Sequence, residues 1–144
     1  MKDAVFHGPG QPMTIENIEI DKPKRNAVLV RTRVSGLCHS DLHFIEGKYP
    51  TPVPAVLGHE AAGVVEAVGE DVTHVKPGDH VVSCLSVFCG HCEYCVTGHQ
   101  SLCNNTAVKM PPGVAKRLKW KGEHLNQFLN LSSFAEQMLV HENA

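Results

Sequence analysis

The chain has 144 residues, a formal net charge of −2, six cysteines and ten histidines. That length suits about one domain with its own core, since a chain of ~150 residues buries roughly two-thirds of its unfolded surface. The mixed, near-neutral charge argues against a nucleic-acid or membrane-surface partner, and no run approaches the ~18 apolar residues of a membrane helix.

In chain order, Met1-Lys2-Asp3 opens straight into an extended segment over residues 1–7, with no basic stretch followed by an apolar one. No secretory signal is read there, so a cytoplasmic, reducing compartment is expected, where thiolates serve metals rather than disulfides. Gly8-Pro9-Gly10 is a turn, and Met13 to Ile20 reads as a second extended segment. Ala27 to Val34 is predicted as a strand with Val28, Val30, Thr32 and Val34 on one face and Arg31 and Arg33 on the other. Ser35-Gly36-Leu37 breaks it, and Cys38 to His43 begins a short helix. Gly47 to Pro54 carries three prolines and is neither helix nor central strand. Ala61 to Val68 and His80 to Ser83 are further strands, the second entered by the turn Lys76-Pro77-Gly78-Asp79. From Asn104 to Leu131 the chain reads as irregular, with the basic cluster Lys116 to Lys121 as a solvated loop. Phe134 to Val140 is the last strand. Many short strands, Gly/Pro turns and little helix predict a mainly β fold, a small β-barrel.

The densest chemistry lies in Cys89-Gly90-His91-Cys92-Glu93-Tyr94-Cys95, completed by Cys103. Four thiolates from one short loop can surround one zinc ion tetrahedrally, at ~2.3 Å per bond. Every protein position is then filled, so such a site is structural. Two rival readings exist. A bacterial iron–sulfur run has a three-residue last gap followed by proline; here the gap is seven residues and Asn104 follows. A disulfide framework suits an even cysteine count, but cysteines three apart in a tight loop pair poorly with one another.

A second constellation is weaker. Cys38 follows a strand end and His59-Glu60 follows Gly58, about twenty residues later. Spacing alone does not join them, because a lone cysteine usually packs as a small hydrophobe. Asp41 and Glu60 stand beside the two, where a carboxylate would fix a histidine tautomer. Ser40 and His43 share a helix face and suit a hydroxyl relay ending in an imidazole.

Gly36-x-Cys38-His39-Ser40-Asp41-x-His43, Gly58-His59-Glu60-x-x-Gly63, Pro77-Gly78-Asp79 and C-x₂-C-x₂-C-x₇-C stand in this order. The set resembles the zinc-dependent alcohol dehydrogenases of the medium-chain dehydrogenase/reductase superfamily, over essentially all of residues 1–144. The long piece between Cys103 and Phe134 resembles the class I and class III branch. The resemblance implies a GroES-like, partly open β-barrel with short helices and a four-cysteine zinc lobe at about residues 84–104. It implies Cys38 and His59 as catalytic zinc ligands, Glu60 as a carboxylate able to approach the ion, and Asp41 as the acid behind the ligand histidine. Ser40 would contact the alcohol oxygen and His43 would end the proton relay. His39 would face the coenzyme pyrophosphate, and Leu85 the substrate. Cys89, Cys92, Cys95 and Cys103 would hold structural zinc. Cys84 matches no ligand and reads as packing within a strand.

The implied activity is oxidation of a small-molecule alcohol to an aldehyde or ketone, with hydride passed to NAD(P), by a family of homodimers and homotetramers. The family's third catalytic ligand and its dinucleotide-binding domain have no counterpart here, and no G-x-G-x-x-G follows a strand. The chain therefore reads as the incomplete catalytic-domain portion, inactive alone, with an exposed barrel edge that favours association. Two rivals are a non-catalytic zinc-bound β module that mediates subunit or partner contacts, and a thiol redox sensor built on Cys38. Tyr49 and Leu85 give an apolar pocket edge. Tyr49 also replaces the acidic residue of the glutathione-dependent formaldehyde branch, which argues against that substrate.

Overall fold

A computed structural model describes residues 1–109 and 117–144. The elements begin with β1 (Lys2–Phe6), β2 (Thr14–Asn17), β3 (Glu19–Ile20) and β4 (Ala27–Ser35). Helix α1 (His39–Ile45), β5 (Ala55–Val56), β6 (Ala61–Val68) and β7 (His80–Val82) follow. The single-turn helix α2 (Glu93–Val96) lies in the cysteine lobe, and β8 (Leu118–Trp120), β9 (Glu123–Gln127) and β10 (Gln137–His141) complete the set. Among the described residues no helix is long and apolar enough to cross a membrane.

The strands form a six-stranded sheet, β2-β1-β5-β9-β8-β3, and a four-stranded sheet, β10-β4-β6-β7. Residues 134–136 stitch them together. Ala4 N–H donates to Phe134 O at 2.9 Å, Glu136 N–H to Lys2 O at 3.1 Å, and Thr32 N–H to Glu136 O at 3.0 Å. The result is the partly open, mainly β barrel expected from sequence. Its interior is filled where β-branched and aromatic residues face inward. Val28, Val30, Val65, Met138 and Val140 form one apolar cluster; Val5, Ile18, Val56, Leu118 and Leu125 form another. A third, Phe6, Ala55, Leu57 and Phe128, takes Phe44 and Ile45 of α1 against it. Each such side chain contributes about 1.5–3 kcal/mol by leaving water, and the third cluster is what anchors α1.

Several elements depart from the sequence reading. β4 keeps Val28 and Val30 inside, but Val34 is 66% exposed. Register shifts at Leu29/Val30 and Thr32/Val34 turn the far end of the strand, so the simple alternation does not reach Val34. Met13 to Ile20 is two strands, because Ile18 turns inward between β2 and β3. The segment read as irregular contains the β8–β9 hairpin. Its turn, Lys121-Gly122, has φ of 52° and 81°, which matches the right-handed twist of the flanking strands. The basic cluster is likewise not a solvated loop. Leu118 is buried, and the half-buried Arg117 donates to Leu139 O at 3.0 Å. Lys116 lies outside the described residues. The last strand begins at Gln137, since Phe134 to Glu136 serve as the stitch between sheets.

Candidate metal centres

The lobe brings its four sulfurs together as expected. All of Cys89, Cys92, Cys95 and Cys103 have Sγ within 4.8 Å of one another. Cys92 Sγ lies 3.4 Å from Cys95 Sγ and 3.8 Å from Cys103 Sγ, and Cys89 Sγ lies 3.9 Å from Cys95 Sγ. Sulfurs at the corners of a tetrahedron with ~2.3 Å zinc bonds stand about 3.8 Å apart. The spacing therefore fits one zinc ion. It is too wide for disulfides, whose S–S length is about 2.05 Å, and all six cysteines are free. An iron–sulfur cage would instead hold the sulfurs apart on separate irons.

The loop chemistry agrees. Gly90 adopts φ +82°, which lets the chain double back between Cys89 and Cys92. Cys92 N–H then points at Cys89 Sγ at 3.3 Å, and Cys89 N–H at Cys103 Sγ at 3.4 Å. Backbone donors favour the thiolate. The His91 N–H, helped by the Cys92 N–H, lowers the Cys89 thiol to about 6. Cys92 is lowered chiefly by the Cys95 N–H. Burial instead pushes Cys95 up to about 11. Cys89 and Cys92 are thus shifted toward the thiolate, while burial opposes ionisation of Cys95.

The second centre is assembled by register. β4 and β6 are antiparallel neighbours with Ser35 opposite Ala61. Cys38 lies three residues past that pair on one strand, and His59-Glu60 directly precede it on the other. They meet at the same end of the sheet. Cys38 Sγ, a His59 nitrogen and a Glu60 oxygen all lie within 4.8 Å of one another. Gly58 permits this approach. Its φ is +89°, and a Cβ there would strike Ser133 Oγ and fall 2.8 Å from Phe134 N.

Cys38 caps α1, so the first turn of the helix lies against the centre. Asp41, 3% exposed, accepts from His59 Nδ1 at 3.0 Å. A carboxylate can only accept, so Nδ1 carries the proton and Nε2 presents its lone pair to the centre. Ser40 Oγ donates to Cys38 Sγ at 3.1 Å and lies 3.3 Å from His59 Nε2. The Phe128 ring stands 6.0 Å from that of His59 and edge-on to Phe44 at 4.8 Å, so the inner wall is apolar. One thiolate, one imidazole and one carboxylate form a donor set that suits zinc with room for a further ligand.

His43 sits one turn along α1, with its ring 4.7 Å from that of the exposed His39 and 5.5 Å from Tyr49. Its Nδ1 is 4.0 Å from Glu46 Oε2. Among the described residues no hydrogen bond joins Ser40 to His43; Ser40 is turned toward Cys38 and His59. An open cavity of about 500 Å³ runs outward from His59 and Glu60 past Val34, Val82, Cys84 and Leu85. Leu85 edges this cavity. Tyr49 does not: it packs on His43 and Phe44. Cys84 also differs from its sequence reading, since β7 ends at Val82 and leaves it exposed. Phe128 lies in the stretch that reads as irregular from sequence, and the turn residue Gly122 between Leu118-x-Trp120 and Leu125 is the one local signal of the hairpin that places it.

Residues 24–144 match the family model described as the alcohol dehydrogenase GroES-like domain. The NDMA-dependent alcohol dehydrogenase of Amycolatopsis methanolica is 40% identical over 99% of this chain and 39% of its own length. The S-(hydroxymethyl)glutathione dehydrogenase of Escherichia coli is 42% identical over 96% of this chain and 39% of its own. Among solved structures, an alcohol dehydrogenase zinc-binding domain protein from Burkholderia ambifaria superposes with a TM-score of 0.87 at 42% identity, over 99% of this chain and 40% of that one. Benzyl alcohol dehydrogenase from Acinetobacter calcoaceticus gives 0.79 at 36% identity, over 99% and 39%. The chain spans about two-fifths of the length of these relatives. With the barrel, the lobe and the family model in agreement, the chain belongs to the alcohol dehydrogenase GroES-like domain family.

Proposed function

We propose that this chain supplies the alcohol-binding, zinc-holding part of an alcohol dehydrogenase that oxidises alcohols to aldehydes or ketones with NAD(P). The observation that carries this is the meeting of Cys38, His59 and Glu60 at one end of the β4–β6 pair. Zinc there would act as a Lewis acid on the alcohol oxygen and ease loss of its proton. His59 offers Nε2 because Asp41 holds the proton on Nδ1. Ser40 Oγ lies beside both Cys38 and His59, within reach of an oxygen brought to the centre. Ser40 would take up the proton beside the centre, and His43, one turn along the same helix, is the imidazole towards which it would leave. The imidazole of His43 then releases it at the surface. His39, exposed on the same helix, would face the coenzyme phosphates. Val34, Val82 and Leu85 give the open cavity an apolar wall that suits an apolar alcohol.

Hydride acceptance needs a dinucleotide site, and no G-x-G-x-x-G occurs in these 144 residues. The coenzyme half of the reaction therefore belongs to sequence of the kind that makes up the remaining length of the relatives. Residues 1–144 serve as the catalytic domain portion, with residues 84–104 as its structural lobe. Alone, the chain is expected not to turn over alcohol.

Metal analysis of the purified chain tests the reading. Two zinc ions per chain are expected, and Cys38→Ser should remove the weaker one while the lobe keeps its own. A wild type holding one ion, unchanged by Cys38→Ser, would favour a non-catalytic zinc-bound module.

A further inference from the structure

Gly36 sits between the end of β4 and Cys38, and its backbone gives no reason for a glycine. Its φ lies outside the left-handed region, so any L residue could adopt it. The demand is for space. A Cβ at this position would overlap Glu60 Oε2 and fall 3.0 Å from Glu60 Cβ and 3.2 Å from Glu60 Cδ. All three of its nearest neighbours are atoms of one side chain.

Glu60 has little freedom to retreat as a whole. Its carbonyl accepts from Gly36 N–H at 2.9 Å and from Ser35 Oγ at 3.1 Å. On one side Ala61 is paired with Ser35, and on the other His59 is held by Asp41. The remaining response is rotation of the Glu60 side chain, which takes its carboxylate away from Cys38 and His59. Ser35, Gly36 and Glu60 thus form one unit. The main chain is clasped by two hydrogen bonds, and the carboxylate lies in the slot left by the missing side chain.

We propose that Gly36 is a positioning residue: its empty side-chain position holds the Glu60 carboxylate beside Cys38 and His59 as the third protein donor of the centre. The inference rests on the metal reading of that centre. It goes further by assigning the position of the Glu60 carboxylate to a glycine two residues before the ligand cysteine.

The test is a double-mutant cycle of Gly36→Ala, Glu60→Ala and the pair, on the full chain. Affinity for the second zinc ion is read by competition with a chromophoric chelator, and Tm is read in parallel. Each single variant should weaken the second ion by about tenfold or more. The double variant should match Glu60→Ala to within about twofold, because Gly36 acts only through Glu60. In Tm, the double variant should recover most of what Gly36→Ala alone loses, since only the contact with the residue-60 Cβ remains. A Gly36→Ala chain that holds both ions as tightly as the wild type overturns the inference and leaves the centre standing. Additive losses in the double variant overturn it too, since Gly36 would then act through other contacts. Should Gly36→Ala fail to fold, the double variant decides. It lacks the carboxylate atoms in conflict and keeps only the Cβ contact at 3.0 Å, so it should fold with lobe zinc in place; a double variant as unstable as Gly36→Ala alone sinks the proposal. A wild type with a single zinc ion removes the centre itself and the inference with it.

Discussion

The two ring nitrogens of His59 face different partners, and that division carries the second centre. Nδ1 meets a buried carboxylate and Nε2 meets Ser40 and the donor cluster. Asp41→Asn keeps the shape but removes the charge that fixes the tautomer. It should weaken the second zinc ion by about 10–100-fold while lobe zinc is untouched, as chelator competition would measure. Equal loss from both sites would mean general destabilisation. The identity of each candidate donor was readable in the sequence, because Cys, His and Glu beside glycines announce themselves by type. What Gly36 does was not readable. A glycine before a cysteine looks like a turn residue until Glu60 is seen to fill its side-chain position.

Among the elements, β4 and β6 were legible because β-branched residues run through both, and their bounds differ from the sequence reading by a residue at most. The β8–β9 hairpin was not, since Glu123, His124, Asn126 and Gln127 leave Leu125 the one apolar residue of β9, and Lys121 at positive φ is an unusual turn residue. β1 holds an unexpected feature. Asp3 is 1% exposed and neither carboxylate oxygen has a hydrogen-bond partner among the described residues. Burial raises its pKa from 3.8 to about 7, with the chain's amino terminus pulling it down and Glu136 pushing it up. The folded pKa exceeds the unfolded one, so ionisation is penalised in the fold. The penalty is absent below pH ~4, grows as pH rises, and is complete above about pH 7. Asp3→Asn should therefore raise Tm by at least ~3 °C at pH 8 and leave it nearly unchanged at pH 4. Thermal melts at the two pH values decide it; a difference independent of pH would refute the assignment.

At the scale of the whole molecule, stability is divided unevenly. The sheets enclose three apolar clusters. The lobe has one helical turn, a short 3₁₀ segment, and little buried apart from Val87, Cys95 and Cys103. With so little apolar burial, its order is expected to depend on a bound metal. Stripping zinc with a strong chelator should expose residues 84–104 to protease while far-UV circular dichroism of the sheets persists. Simultaneous loss of both signals would show that the lobe and barrel unfold as one unit. The sequence by itself determined the lobe. Four cysteines within fifteen residues are held near one another by chain length alone, whatever surrounds them. It also determined the mainly β class, through short β-branched runs between turns. Only the tertiary structure decided that Cys38 meets His59 and Glu60. Those residues lie just beyond the ends of different strands, β4 and β6, and a slip of one residue in the pairing of those strands would turn every side chain to the opposite face. That register is set by cooperative packing of β4 and β6 with β10 around Val28, Val30, Val65 and Met138, which no local spacing encodes.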